Sequence, residues 1–106
     1  MNRPRRVEVA GDSMRPTLVP GDRLLVVPWP RHLLRPGHLV AVPDPRDPGR
    51  TLVKRVTATT RRTLTLAGDD PARSTDSRHF GPVARTAVLG RAVYRYAPTA
   101  RAGPVR

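Results

Sequence analysis

Two residues of this 106-residue chain stand out as candidates for covalent chemistry. They are Ser13, in "GDSMRPTL" (11–18), and Lys54, in "TLVKRVTAT" (51–59). A serine hydroxyl is a poor nucleophile at neutral pH and attacks a carbonyl only when a base takes its proton. A serine between Gly-Asp and Pro-Thr can also simply cap a turn. Lys54 is the only lysine among twenty basic residues, the other nineteen being arginine. Arginine keeps its proton in proteins, whereas a desolvated lysine can lose it. In water a lysine titrates near 10.4, so about one in 2,500 is neutral at pH 7. Burial lowers that value and makes the amine a usable base. In an extended strand Leu52, Lys54 and Val56 share one face, which gives Lys54 apolar neighbours. The alternative is an edge-strand lysine whose ammonium reaches water.

The elements that must position these residues are short strands. "RVEVA" (6–10) leads into Ser13, and "DRLLVVP" (22–28) follows a Pro-Gly-Asp turn. "HLVAVP" (38–43), "TLVKRVTAT" (51–59), "TLTLA" (63–67) and "AVLGRAVYRY" (87–96) read as further strands, rich in β-branched residues. Gly90 marks a possible bulge in the last of them. Residues 44–50 read as a polar turn, 69–82 as an irregular loop, and 29–37 as a loop or helical turn. No 3.6-residue periodicity lasts long enough for a sizeable helix. The expected class is mostly β, a compact fold of short antiparallel strands. One domain is expected over 1–97, with 98–106 a disordered tail.

Composition narrows the function. The net charge is +12, which raises a polyanion-binding hypothesis. The arginines are scattered, however, and Trp29, Phe80, Tyr94 and Tyr96 form no aromatic-plus-basic RNA motif. No specific nucleic-acid partner is expected. Cysteine is absent, which excludes disulfides and thiolate metal sites. His32, His38 and His79 lack the company of a metal centre or a Ser-His-Asp triad. No metal and no cofactor is expected. No apolar run reaches the roughly 20 residues of a membrane span, and "MNRPRRVEVAG" lacks the apolar region of a signal peptide.

Four stretches occur in a telling order: Ser13-Met14-Arg15-Pro16-Thr17-Leu18, then Gly21-Asp22, then Lys54-Arg55, then "GDDPARSTDSRHFGPV" (68–83). Together they resemble the boxes of the signal peptidase I family of Ser/Lys dyad proteases, over roughly residues 7–96. The resemblance implies a serine endopeptidase in which Ser13 attacks and Lys54 is the base. It implies that Ser74 orients the lysine, that Asp76 and Arg78 form a supporting salt bridge, and that the backbone N–H of Ser13 serves the oxyanion hole. Two positions depart from the usual pattern. Gly11 stands where some members place a second oxyanion-hole serine, and Asp70 stands where asparagine is usual. Only residues 55–67 separate Lys54 from Gly68, so the family's larger second β-domain has no room between these boxes. In this compactness the chain looks most like the proteases that mature nickel-type superoxide dismutase by removing its N-terminal propeptide. The implied partner is that enzyme's precursor, and the implied location is the cytoplasm, with no transmembrane anchor. The alternatives are a signal peptidase with a natural N-terminal anchor, hence membrane-associated, and a non-catalytic basic binding module.

Overall fold

The computed structural model describes residues 3–106. Met1 and Asn2, the start of the domain expected over 1–97, lie outside the described residues. The protein is mostly β, as expected. Its strands are β1 (Arg5–Glu8), β2 (Arg23–Val27), β3 (Leu39–Asp44), β4 (Asp47–Thr59), β5 (Thr63–Ala67), β6 (Val83–Ala84), β7 (Gly90–Ala97) and β8 (Gly103–Pro104). All belong to one antiparallel sheet, ordered β1-β2-β7-β3-β4-β5-β6, with β8 added to β7. The single α-helix among the described residues, α1, is the short segment Ser77–Phe80.

Strand alternation builds two apolar layers. On β3, Leu39 and Ala41 enter one cluster with Met14, Leu18, Leu24, Val26 and Val53. Val40 and Val42 enter the other with Leu34, Val56, Leu64, Leu66 and Val88. β3 is therefore covered on both sides, which explains its unbroken apolar run. The longest strand, β4, pairs along its first half with β3, from Thr51 opposite Pro43 to Arg55 opposite Leu39. Its second half pairs with β5, from Arg55 opposite Ala67 onward.

Three expectations need correction. The polar turn expected over 44–50 is much shorter, because β4 already begins at Asp47. Buried Asp44 tightens the turn by accepting hydrogen bonds from the Arg46 backbone N–H at 2.9 Å and from its guanidinium. The last strand starts at Gly90 rather than residue 87, since Arg85–Ala87 forms a 3-10 helix. Gly90 itself marks a close approach: a Cβ there would lie 2.6 Å from the Val27 carbonyl oxygen. Residues 98–106, expected to be a disordered tail, fold back on the sheet. Thr99–Arg101 forms a 3-10 helix, β8 pairs with β7, and Val105 is buried in the core.

Asp22 adds an ionic clamp on the tail. It is buried, and accepts from Arg95 at 3.0 Å, from Arg101 at 3.0 and 3.1 Å, and from the Val19 N–H at 3.0 Å. Burial works against its charge, but these donors outweigh burial and lower its pKa. Asp22→Asn is expected to cost about 3 kcal/mol at neutral pH, because Arg95 and Arg101 lose their counter-ion. The depressed carboxylate contributes stability above its unfolded value of about 3.9, and loses it as pH falls through the folded value. Urea unfolding at pH 7 and pH 3 checks both points: the difference from the parent should be largest at pH 7.

Candidate active site

The N-terminal box folds as a turn between β1 and β2. Five residues of "SMRPTL" have distinct surroundings. Met14 and Leu18 are buried in the core and pin the turn from below. Their backbones are joined by Leu18 N–H donating to the Met14 carbonyl at 2.9 Å. Arg15 pairs with Asp12 on the surface. Thr17 donates to Asp69 at 2.6 Å. Ser13 is left half-buried at the top of the turn, facing a cleft.

Lys54 lines the same cleft. It is 3% exposed, so the snorkelling reading fails, and its Nζ donates to Ser74 Oγ at 3.0 Å. Ser74 Oγ in turn donates to Asp76 Oδ2 at 2.7 Å. A hydroxyl has one proton. Because the Asp76 carboxylate takes it, Ser74 can only accept from Lys54. This fixes one N–H of the amine and leaves its remaining positions directed elsewhere. Asp76 is buried and heavily served. It also accepts from Gly68 N–H at 3.1 Å, Arg78 N–H at 3.1 Å and Arg78 Nε at 3.0 Å. Burial tends to raise its pKa, yet the hydrogen bonds from Arg78, Ser74 and the two backbone donors hold it far below the usual carboxylate range.

Burial is the largest influence on Lys54 and lowers its pKa. The Asp76 charge opposes this, Arg46 and Arg50 add to the lowering, Asp44 opposes, and the balance lies below the ordinary value. The amine is therefore easier to deprotonate than a lysine in water.

The third box supplies the frame around this pair. Asp76 caps α1 through the Arg78 N–H, while His79 Nδ1 accepts from the Asp76 N–H at 3.3 Å. Asp70 N–H donates to the Ser13 carbonyl at 2.8 Å, tying the box to the serine turn. The Asp70 side chain instead lies 3.8 Å from Arg73, so its departure from asparagine falls outside the Lys54–Ser74–Asp76 chain. Ser13 N–H has no protein acceptor among the described residues. No hydrogen bond joins Ser13 to Lys54 among the described residues; what they share is the cleft.

Sequence reasoning missed two parts of this frame. One is a bridge in which Arg55 grips Asp69 with two hydrogen bonds of 2.8 Å, while Asp69 also accepts from Thr17. It links one residue from each of three boxes, and the adjacency of Arg55 to Lys54 and of Asp69 to Gly68 was its only sequence signal. The other is Gly68. A Cβ at this buried position would sit 2.3 Å from Ser74 Oγ and 2.5 Å from the Ser13 carbonyl oxygen. The histidines take no part in the cleft lining. His32 is exposed, His38 stands edge-on to Trp29 with ring centroids 6.2 Å apart, and His79 caps a helix.

The cleft encloses about 250 Å³. Val7–Ala10 form one wall and Arg50–Lys54 the other. Among the described residues β1 pairs only with β2, and this half of β4 pairs only with β3. Both walls thus present an unpaired strand edge, a ready template for an extended peptide.

Comparison with known proteins gives the family of the chain. The family model "Signal peptidase, peptidase S26" matches residues 4–61 and 59–97. The mitochondrial ATP-independent inner membrane protease subunit 1a of Arabidopsis thaliana is 33% identical over 127 aligned positions, covering 92% of this chain and 73% of the relative. Subunit 1b from the same plant is 29% identical, covering 90% and 71%. The protein is a hydrolase acting on protein substrates, and the chain belongs to the signal peptidase family, peptidase S26.

Proposed function

We propose that the chain is a serine endopeptidase with Ser13 as nucleophile and Lys54 as general base. The observation that carries this is a buried lysine, its pKa lowered, sharing a peptide-sized cleft with a serine whose hydroxyl has no hydrogen-bond partner among the described residues. An extended substrate adds to the free edges of β1 and β4, which brings one carbonyl over Ser13. Neutral Lys54 takes the hydroxyl proton as Oγ attacks, and the Ser13 N–H receives the developing oxyanion. The lysine then returns its proton to the departing amine, leaving an acyl-serine that water hydrolyses by the same route. Ser74 and Asp76 keep the amine aimed, and Arg78 holds Asp76.

For the substrate we propose a protein with a cleavable N-terminal propeptide, with the precursor of nickel-type superoxide dismutase as the leading case. Support comes from the direct passage from Lys54 to Gly68 through one hairpin, β4–β5. This reading places the work in the cytoplasm. Cleavage of signal peptides is the second reading, favoured by the family match and by relatives named as inner membrane proteases, and it carries a membrane-associated setting. Among the described residues no helix is long and apolar enough to cross a membrane.

Incubation with unprocessed nickel superoxide dismutase, followed by N-terminal sequencing, separates the two. New termini at the propeptide junction support the first reading. Cleavage of membrane-delivered signal peptides alone supports the second. A third experiment distinguishes an enzyme from a basic binding module. Neutralising exposed Arg61 and Arg62 should weaken polyanion binding and its salt dependence while sparing proteolysis; loss of proteolysis in that variant, with proteolysis kept by Ser13→Ala, would count against the dyad.

A further inference from the structure

The walls of the cleft carry an uneven charge. Arg46, Arg50 and Arg73 line it together with Glu8 and Asp12. Both carboxylates are already engaged: Glu8 with Arg23 at 3.3 Å and Asp12 with Arg15. Arg46 is likewise held, by buried Asp44 at 3.0 Å. The other two guanidiniums remain open. Arg50 is exposed and has no ion-pair partner among the described residues, and Arg73 is exposed with only a 3.8 Å contact to Asp70.

We propose that Arg50 and Arg73 are specificity-determining residues that select substrate peptides carrying a carboxylate within about four residues of the bond cleaved. The proposal rests on the endopeptidase reading above. Its geometry follows from the strands. Arg50 precedes Lys54 by four residues on β4, about 13 Å at the rise of an extended strand. A peptide paired with that edge advances at the same rate. The residue it places beside Arg50 is therefore about four positions from the one whose carbonyl reaches Ser13. The Arg73 guanidinium lies near enough to Asp12, one residue before Ser13, to help lower its pKa, so it guards the end of the cleft nearest the nucleophile. A substrate carboxylate at either place can be gripped by the two parallel N–H groups of that guanidinium. A lysine or arginine there meets repulsion instead, and the chain's net charge of +12 reinforces both effects on approach.

The experiment is digestion of a proteome-derived peptide library, with cleaved bonds identified by mass spectrometry and Ser13→Ala as the blank. The parent chain should enrich Asp and Glu within four residues of the cleaved bond by roughly fivefold, the yield of one partly exposed charge pair. Arg50→Glu, and separately Arg73→Glu, should abolish the enrichment at one position each and shift it towards Lys and Arg. Cleaved bonds without acidic enrichment, or a profile unchanged by both substitutions, would overturn the proposal while leaving proteolysis intact. Absence of any Ser13-dependent cleavage would overturn the endopeptidase reading itself, and the specificity with it.

Discussion

Lys54→Met is expected to abolish peptide-bond cleavage and to raise the melting temperature near neutral pH. Methionine keeps the length of the apolar stem but has no proton to accept, so the serine loses its base. General-base catalysis contributes on the order of 10²–10⁴ in rate. The stability effect has the opposite sign because Lys54 is buried and its folded pKa lies below the unfolded value. The unfolded chain therefore binds more protons between the folded pKa and about 10.4, and stability of the parent rises with pH across that window. Below it the parent bears the full penalty, about 1.4 kcal/mol for each pH unit by which the pKa is depressed. The advantage of Lys54→Met is thus largest at low pH and fades towards pH 10. The loss of the Ser74 hydrogen bond subtracts part of it. Lys54→Arg should be equally inactive but less stable than the parent, by roughly 3 kcal/mol, because arginine cannot shed its charge in the same site. Thermal unfolding of all three chains from pH 6 to pH 10 decides the matter. A Lys54→Met chain no more stable than the parent at any pH would mean that the lysine is solvated and unshifted.

Gly68→Ala is expected to cost about 100-fold in kcat/KM and about 1–3 kcal/mol in stability. The added methyl group has no space, with Ser74 Oγ at 2.3 Å, the Ser13 carbonyl oxygen at 2.5 Å and Ser74 Cβ at 2.6 Å from its position. Something must move, and each candidate is part of the site. Overpacking of this kind costs a few kcal/mol, while an ångström of misplacement at a reacting group can cost about 10²-fold in rate. Displacing Ser74 also loosens its bond to Asp76, whose Oδ2 is shared with the Gly68 N–H. Gly49→Ala is the control, since its Cβ would meet only Asp47 Oδ1, at an ordinary 3.6 Å. Equal kinetics for the two alanine variants would show that the packing of Gly68 has no bearing on the site.

Legibility in the sequence followed the range of the interactions. β2, β3, β4 and β5 were visible because β-branched runs and Gly/Pro turns are local signals. Ser13, Lys54, Ser74, Asp76 and Arg78 were named from motif order, and the fold places Ser13, Lys54 and Ser74–Asp76 around one cleft and its supporting loop. The tail was misread because its order depends on a partner far away in the chain. Arg101 looks like one arginine among many until Asp22 is seen beneath it. Gly68 and the Thr17–Asp69–Arg55 bridge were hard to read for the same reason, since their roles exist only where separated segments meet. The turn at 44–50 failed differently. Its prolines and charges suggested loop, but pairing with β3 and the grip of Asp44 on Arg46 carried the strand through to Asp47.

The Ser13–Lys54 assignment is tested most directly by measuring cleavage of one protein substrate with the parent, Ser13→Ala and Lys54→Arg under the same conditions, each confirmed folded by its circular dichroism spectrum. The prediction is that the parent cuts a defined bond, and that both variants bind the substrate but fall at least about 10²-fold in kcat. Parent-like cleavage by a folded Ser13→Ala or a folded Lys54→Arg chain would contradict the dyad.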